Sequence, residues 1–225
     1  MIDIGKVLTE CNTEKNHHGQ ILRDTYLVYQ DWFRRYRDGD KNLDPHLKSM
    51  IDNKLTDDEA FFILAYTGSY SSWINSKLRD GASLDSECKN KFASCLDHAL
   101  SKMPSVKEEI VFRMDNPGCE REILSWFDKH KRRKIRIPYF LSTAKEDYKN
   151  TNIIWEIQTR RINSKGKDIS SLSNNKFEKE VLFMRNSWFR IDAVDISKNY
   201  VYLVELPPHE KINFGLVGLY HLNIK

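Results

Sequence analysis

The sequence predicts an α+β fold, and two observations carry that prediction. Apolar residues recur near a 3.6-residue period through the first hundred or so positions, whereas later apolar runs are short and bounded like strands. Helices thus come first and strands later, an order that segregates the two kinds of element. With 225 residues, 40% of them hydrophobic and 12% aromatic, the chain can bury a sizeable core.

Each element has its own signal. Over residues 21–37, Ile21, Leu22, Tyr26, Tyr29, Trp32, Phe33 and Tyr36 keep the helical period, and Asp38-Gly39-Asp40 ends it. Thr56, with Glu59 three residues on, is a capping box that opens a helix reaching about Tyr66. Thr67-Gly68-Ser69 reads as a break, after which residues 71–79 are helical again and Asp80-Gly81 stops them. Residues 88–101 form a further helix, ended by Pro104. Strands are then expected over 110–113, from 138–142 onward, and over 152–159, 181–183, 188–194, 200–206 and 214–222, with a small helix over 120–131. Residues 164–176, polar and containing Gly166, read as a loop.

Composition narrows the function. The 36 basic and 32 acidic residues leave a net charge of +4, well short of a dedicated nucleic-acid binder. One dense basic run, Lys129-His130-Lys131-Arg132-Arg133-Lys134-Ile135-Arg136, reads first as a solvated helix end; phosphate contact is its functional alternative. Cys11, Cys88, Cys95 and Cys119 include no CxxC pair, so reduced thiols and no zinc site are expected. No apolar stretch approaches the ~18 residues of a membrane span, and the amino terminus lacks the apolar core of a signal peptide.

The most informative stretch is Phe177-Glu178-Lys179-Glu180-Val181-Leu182-Phe183. In a strand, Glu178 and Glu180 would face one side together and Lys179 the other. Like charges so placed are costly unless something uses them. Taken alone, the pair reads first as an acidic strand edge that blunts aggregation.

The neighbours change that reading. Tyr66-Thr67-Gly68-Ser69-Tyr70-Ser71-Ser72-Trp73-Ile74-Asn75-Ser76-Lys77-Leu78-Arg79, then Val111-Phe112-Arg113, then Phe140-Leu141-Ser142-Thr143-Ala144, then Gly166-Lys167-Asp168-Ile169-Ser170 and the Glu178-Lys179-Glu180 stretch occur in that order. The series resembles the mono-ADP-ribosyltransferases of the Arg–Ser–Glu type, a superfamily of bacterial toxins and effectors, over residues 55 to about 206. The resemblance implies an N-terminal helical lobe packed on a split β-sandwich core, with a helical cap over 1–50 and the catalytic core over 51–225. It implies NAD as substrate, with no metal, bound by Arg113, Met114, Ser142, Thr143, Tyr66 and Glu180. Arg113 matches the arginine that contacts the NAD phosphates. Ser142 matches the serine that holds the catalytic glutamate, and Ala144 departs from the Ser-Thr-Ser pattern of the family. Glu180 matches that glutamate. Glu178 matches the acid that accompanies arginine as acceptor. Asn175 and Phe177 fall where the family recognises its target, although Asn175 stands where an aromatic is usual. Trp188 and Phe189 replace a usual Pro-Gly turn and are expected in the core.

The implied reaction transfers ADP-ribose to an arginine of a target protein and releases nicotinamide. Its setting would be a toxin or effector, cytoplasmic in its producer or secreted without a classical signal peptide into a target-cell cytoplasm. An immunity or chaperone protein would be a further partner. The alternatives are the same chemistry on RNA or DNA, and a binding module that keeps the fold without turnover.

Overall fold

The computed structural model describes residues 7, 17–42, 55–79, 87–116, 118–147, 153–172 and 179–207. It divides into two compact units: residues 1–78, 82–103 and 171–174, and residues 79–81, 104–170 and 175–225. Helices α2 and α4, over 57–65 and 87–102, therefore group with the amino-terminal residues and not with the sheet.

The first unit is helical: α1 (His17–Arg37), α2 (Asp57–Ala65), a π-helical turn (Tyr66–Tyr70), α3 (Ser71–Arg79) and α4 (Glu87–Lys102). The capping box forms as expected. Thr56 Oγ1 accepts from the Glu59 N–H at 3.3 Å, and the Glu59 carboxylate accepts from the Thr56 N–H at 2.9 Å. The expected break at Thr67-Gly68-Ser69 is instead a π turn that carries α2 into α3. Gly68 lowers helix propensity by only about 1 kcal/mol. Buried Phe62, Tyr70, Trp73 and Phe92 outweigh it: the Phe92 ring lies 5.2 Å from Phe62, 6.0 Å from Tyr70 and 6.0 Å from Trp73. Cys95 is a free buried thiol, but Cys88 is disulfide-bonded, which corrects the expectation of reduced thiols throughout.

Among the described residues the second unit holds eight strands: β1 (Ile110–Asp115), β2 (Lys134–Ile137), β3 (Leu141–Ala144), β4 (Ile153–Gln158), β5 (Gly166–Asp168), β6 (Glu180–Phe183), β7 (Ser187–Asp195) and β8 (Tyr200–Leu206). They join in the order β2-β7-β8-β4-β1-β3-β6-β5. Among the described residues every pair is antiparallel except β4–β8. Helix α5 (Glu120–Lys129) buries Ile123, Leu124 and Phe127, and the Phe127 ring meets Trp155 of β4 edge-on at 5.6 Å.

Two strands were hidden in the sequence. The end of the basic run is β2: Ile135 and Ile137 are buried while Lys134 and Arg136 stay half-exposed, an alternation masked by the charge around it. The expected loop over 164–176 contains β5, which pairs with β6. Gly166 permits that approach, because a Cβ there would meet Val106 at 3.0 Å and Phe183 at 3.1 Å. The strand expected over 214–222 lies outside the described residues.

Candidate active site

Three adjacent strands, β1, β3 and β6, carry the site. Phe112 of β1 pairs with Ala144 of β3, and Ala144 pairs with Glu180 of β6. Ser142 is two residues from Ala144, so its side chain shares a face with the one cross-strand from Glu180. The Ser142 hydroxyl donates to Glu180 Oε1 at 2.6 Å. This bond fixes a carboxylate that is only 5% exposed and lies in the strong range of hydrogen bonds to an ionised acceptor.

Arg113 is tied to the same serine through its backbone. Its Nη1 donates to the Ser142 carbonyl at 2.9 Å, its Nη2 lies 2.8 Å from Asp115 Oδ1, and its Cζ sits 5.9 Å from the Trp155 ring centroid. Asp115 follows two residues after Arg113 on the same strand, so both project to one face. The guanidinium is therefore oriented from three sides, and a planar fork of donors so held suits a diphosphate.

The other expected residues have different surroundings. Thr143 alternates away from Ser142, and its buried hydroxyl donates to the Val181 carbonyl at 2.7 Å, fastening β3 to β6. Met114 is half-buried and pairs with Ile154 of β4. Tyr66 belongs to the helical unit, where it is 1% exposed and its hydroxyl accepts from Asn75 Nδ2 at 2.9 Å. Glu178, Asn175 and Phe177 lie outside the described residues. Phe189 is fully buried against Phe183 at 5.3 Å, while Trp188 is half-buried beneath the Arg136 guanidinium at 5.9 Å.

Sequence reasoning missed Asp115 and Trp155, which orient Arg113. Asp115 had one available signal, its i+2 spacing from Arg113. Trp155 had none, because its role comes from facing Arg113 across the β1–β4 ladder. Among the described residues no group of three His, Cys, Asp or Glu side chains could hold a metal ion, and no helix is long and apolar enough to cross a membrane.

The family model of the ADP-ribosyltransferase exoenzymes matches residues 43–207. The chain belongs to that family. Its fold recurs in solved toxins at low identity. The Clostridium limosum C3 exoenzyme superposes with a TM-score of 0.58 at 20% identity, covering 71% of this chain and 90% of that one. Exoenzyme S from Pseudomonas aeruginosa, solved with human 14-3-3 protein beta and carba-NAD, gives 0.56 at 21% identity, covering 71% and 79%. The ADP-ribosyltransferase Vis, solved with agmatine, gives 0.58 at 18% identity, covering 88% and 92%. No curated protein matches the chain. The chain is thus a member of the ADP-ribosyltransferase exoenzyme family with a mixed helical and stranded fold, and NAD is the substrate consistent with that membership.

Proposed function

We propose that this enzyme cleaves NAD and transfers ADP-ribose to an arginine side chain of a target protein. The observation that carries the reading is the Ser142–Glu180 bond beside an Arg113 that grips the same serine. Breaking the bond between nicotinamide and ribose leaves positive charge on the sugar, in a transition state resembling an oxocarbenium ion. A carboxylate held in place before the reaction stabilises that developing charge more than it stabilises the ground state. Glu180 is that carboxylate, Ser142 orients it, and Arg113 takes the diphosphate.

The acceptor follows from Glu178. An arginine guanidinium stays protonated to a pKa above about 12 and is a poor nucleophile until a base takes a proton. Glu178 is the acid for that task, two positions before Glu180 in the sequence. Agmatine, the ligand solved with Vis, carries the same guanidinium head group. In this reading the protein is a toxin or effector acting on a protein of a target cell.

Nicotinamide release and label transfer from NAD test the proposal together. Glu180→Gln should reduce both to background. Glu178→Gln should abolish transfer to protein arginine and leave NAD hydrolysis. Retention of arginine transfer in Glu178→Gln would refute the acceptor assignment. The exposed Lys129, Lys131, Arg132 and Arg133 at the turn after α5 favour a nucleic-acid acceptor as the second reading. Label from treated lysate that survives protease and disappears with nuclease would select it.

A further inference from the structure

Directly after β3, the strand that carries Ser142, the chain places two charged residues, Lys145 and Glu146. Both contact the described residues that flank positions 173–178. On the near flank, Lys145 Nζ binds Asp168 Oδ2 at 2.8 Å and Glu109 Oε2 at 3.1 Å. Asp168 Oδ1 in turn accepts from the N–H of Ser170 at 3.1 Å and from its hydroxyl at 2.6 Å, so the turn that leaves β5 is built on that carboxylate. On the far flank, the Lys145 N–H donates to the Lys179 carbonyl at 3.3 Å, and Lys179 Nζ pairs with Glu146. The flanks also meet each other, since the Ile169 N–H donates to the Glu180 carbonyl at 3.0 Å. One lysine therefore holds both flanks, one with its side chain and the other with its backbone.

We propose that Lys145 is a positioning residue for the transfer step, acting through Asp168 on Ile169 and Ser170 and through its own N–H on Lys179, the described residues on either side of the acceptor-directing acid. The inference rests on the reading of Glu178 given above. The inner pair is the part with force: the Lys145 and Asp168 side chains are 27% and 28% exposed, whereas Lys179 and Glu146 are 57% and 56% exposed, in the range where an ion pair contributes little. Desolvation pulls the Lys145 ammonium down, but bonds from Asp168 and Glu109 outweigh it and leave its pKa above the ordinary lysine value. Desolvation likewise raises Asp168, and the bonds from Lys145 and Ser170 outweigh it in the other direction. Both groups are thus held in their charged forms. NAD cleavage does not depend on this pair, because Arg113, Ser142 and Glu180 are joined by the backbone ladders of β1, β3 and β6.

The test compares two rates on the full chain: NAD hydrolysis without acceptor, and ADP-ribosyl transfer to agmatine. Lys145→Ala and Asp168→Asn should each lower transfer about tenfold through lost orientation of the acceptor acid. Hydrolysis should stay within about twofold, and Lys145→Arg should restore transfer. Equal losses in both reactions, or unchanged transfer, would overturn the proposal. Hydrogen exchange supplies an arm independent of the acceptor. Lys145→Ala should speed exchange at the amides of Ile169 and Ser170, and unchanged exchange there sinks the proposal. If the wild type hydrolyses NAD but leaves agmatine unmodified, the arginine reading fails, and the exchange measurement alone decides whether Lys145 holds the two flanks.

Discussion

Replacing Ser142 with alanine removes one hydroxyl and one bond, the 2.6 Å contact to Glu180 Oε1. A hydrogen bond to a charged group contributes about 1.5–3 kcal/mol. If all of that orients Glu180 in the transition state, the rate falls roughly 10- to 150-fold, at 1.36 kcal/mol for each factor of ten. The Ser142 backbone carbonyl survives the substitution, so its bond from Arg113 at 2.9 Å should persist and NAD should bind as before. The predicted signature is a fall in kcat for nicotinamide release with KM for NAD changed less than about threefold, because only a transition-state interaction has gone. Steady-state kinetics over a range of NAD concentrations reads both quantities, and thermal unfolding checks that the fold is intact. A kcat within twofold of wild type in a folded protein would refute the claim that Ser142 holds the catalytic carboxylate.

Three further outcomes follow from the same geometry. Arg113→Lys replaces a fork by a single ammonium that cannot span Ser142 and Asp115 in one plane, so KM for NAD should rise about tenfold, a 1.4 kcal/mol loss; unchanged KM would exclude a phosphate role. Glu59→Gln in the helical unit loses the charge that meets Lys102, His98 and the Thr56 N–H, and urea unfolding should show a cost of about 1–3 kcal/mol. Burial raises the Glu59 carboxyl, but the bonds from Lys102 and Thr56 outweigh it and its folded pKa lies below the ordinary 4.5. Its stabilisation should therefore be full above that value and fade as pH falls through the folded pKa, a titration of stability that Glu59→Gln should flatten. The Asp168 carboxyl is also depressed below its ordinary 3.8, so the Lys145 pair should survive mild acid, and a loss of the pair's stability already at pH 5 would contradict the contacts described.

The helices were legible because their signals are local. Thr56 and Glu59 stand three residues apart and cap one another wherever the helix forms, and the aromatic period of α1 needs no partner to be read. The π turn was not legible, since Gly68 and Thr67 read locally as a break and only the rings packed around Phe92 keep the helix going. The same applies to β5: Gly166-Lys167-Asp168 has loop composition, and it becomes a strand because β6 lies beside it.

Sequence by itself determined the chemistry available: an arginine, a serine and two glutamates in a fixed order, each with a motif around it. Folding decided which of them meet. Ser142 and Glu180 are 38 residues apart and Arg113 and Ser142 are 29 apart, and the sheet order β1-β3-β6 brings each pair within 3 Å. A strand's alternation is written in its own residues, but its neighbour in the sheet is not, because long-range pairing is chosen by the burial and hydrogen bonding of the whole chain. Asp115, Trp155 and the Lys145–Asp168 pair take their positions from that choice.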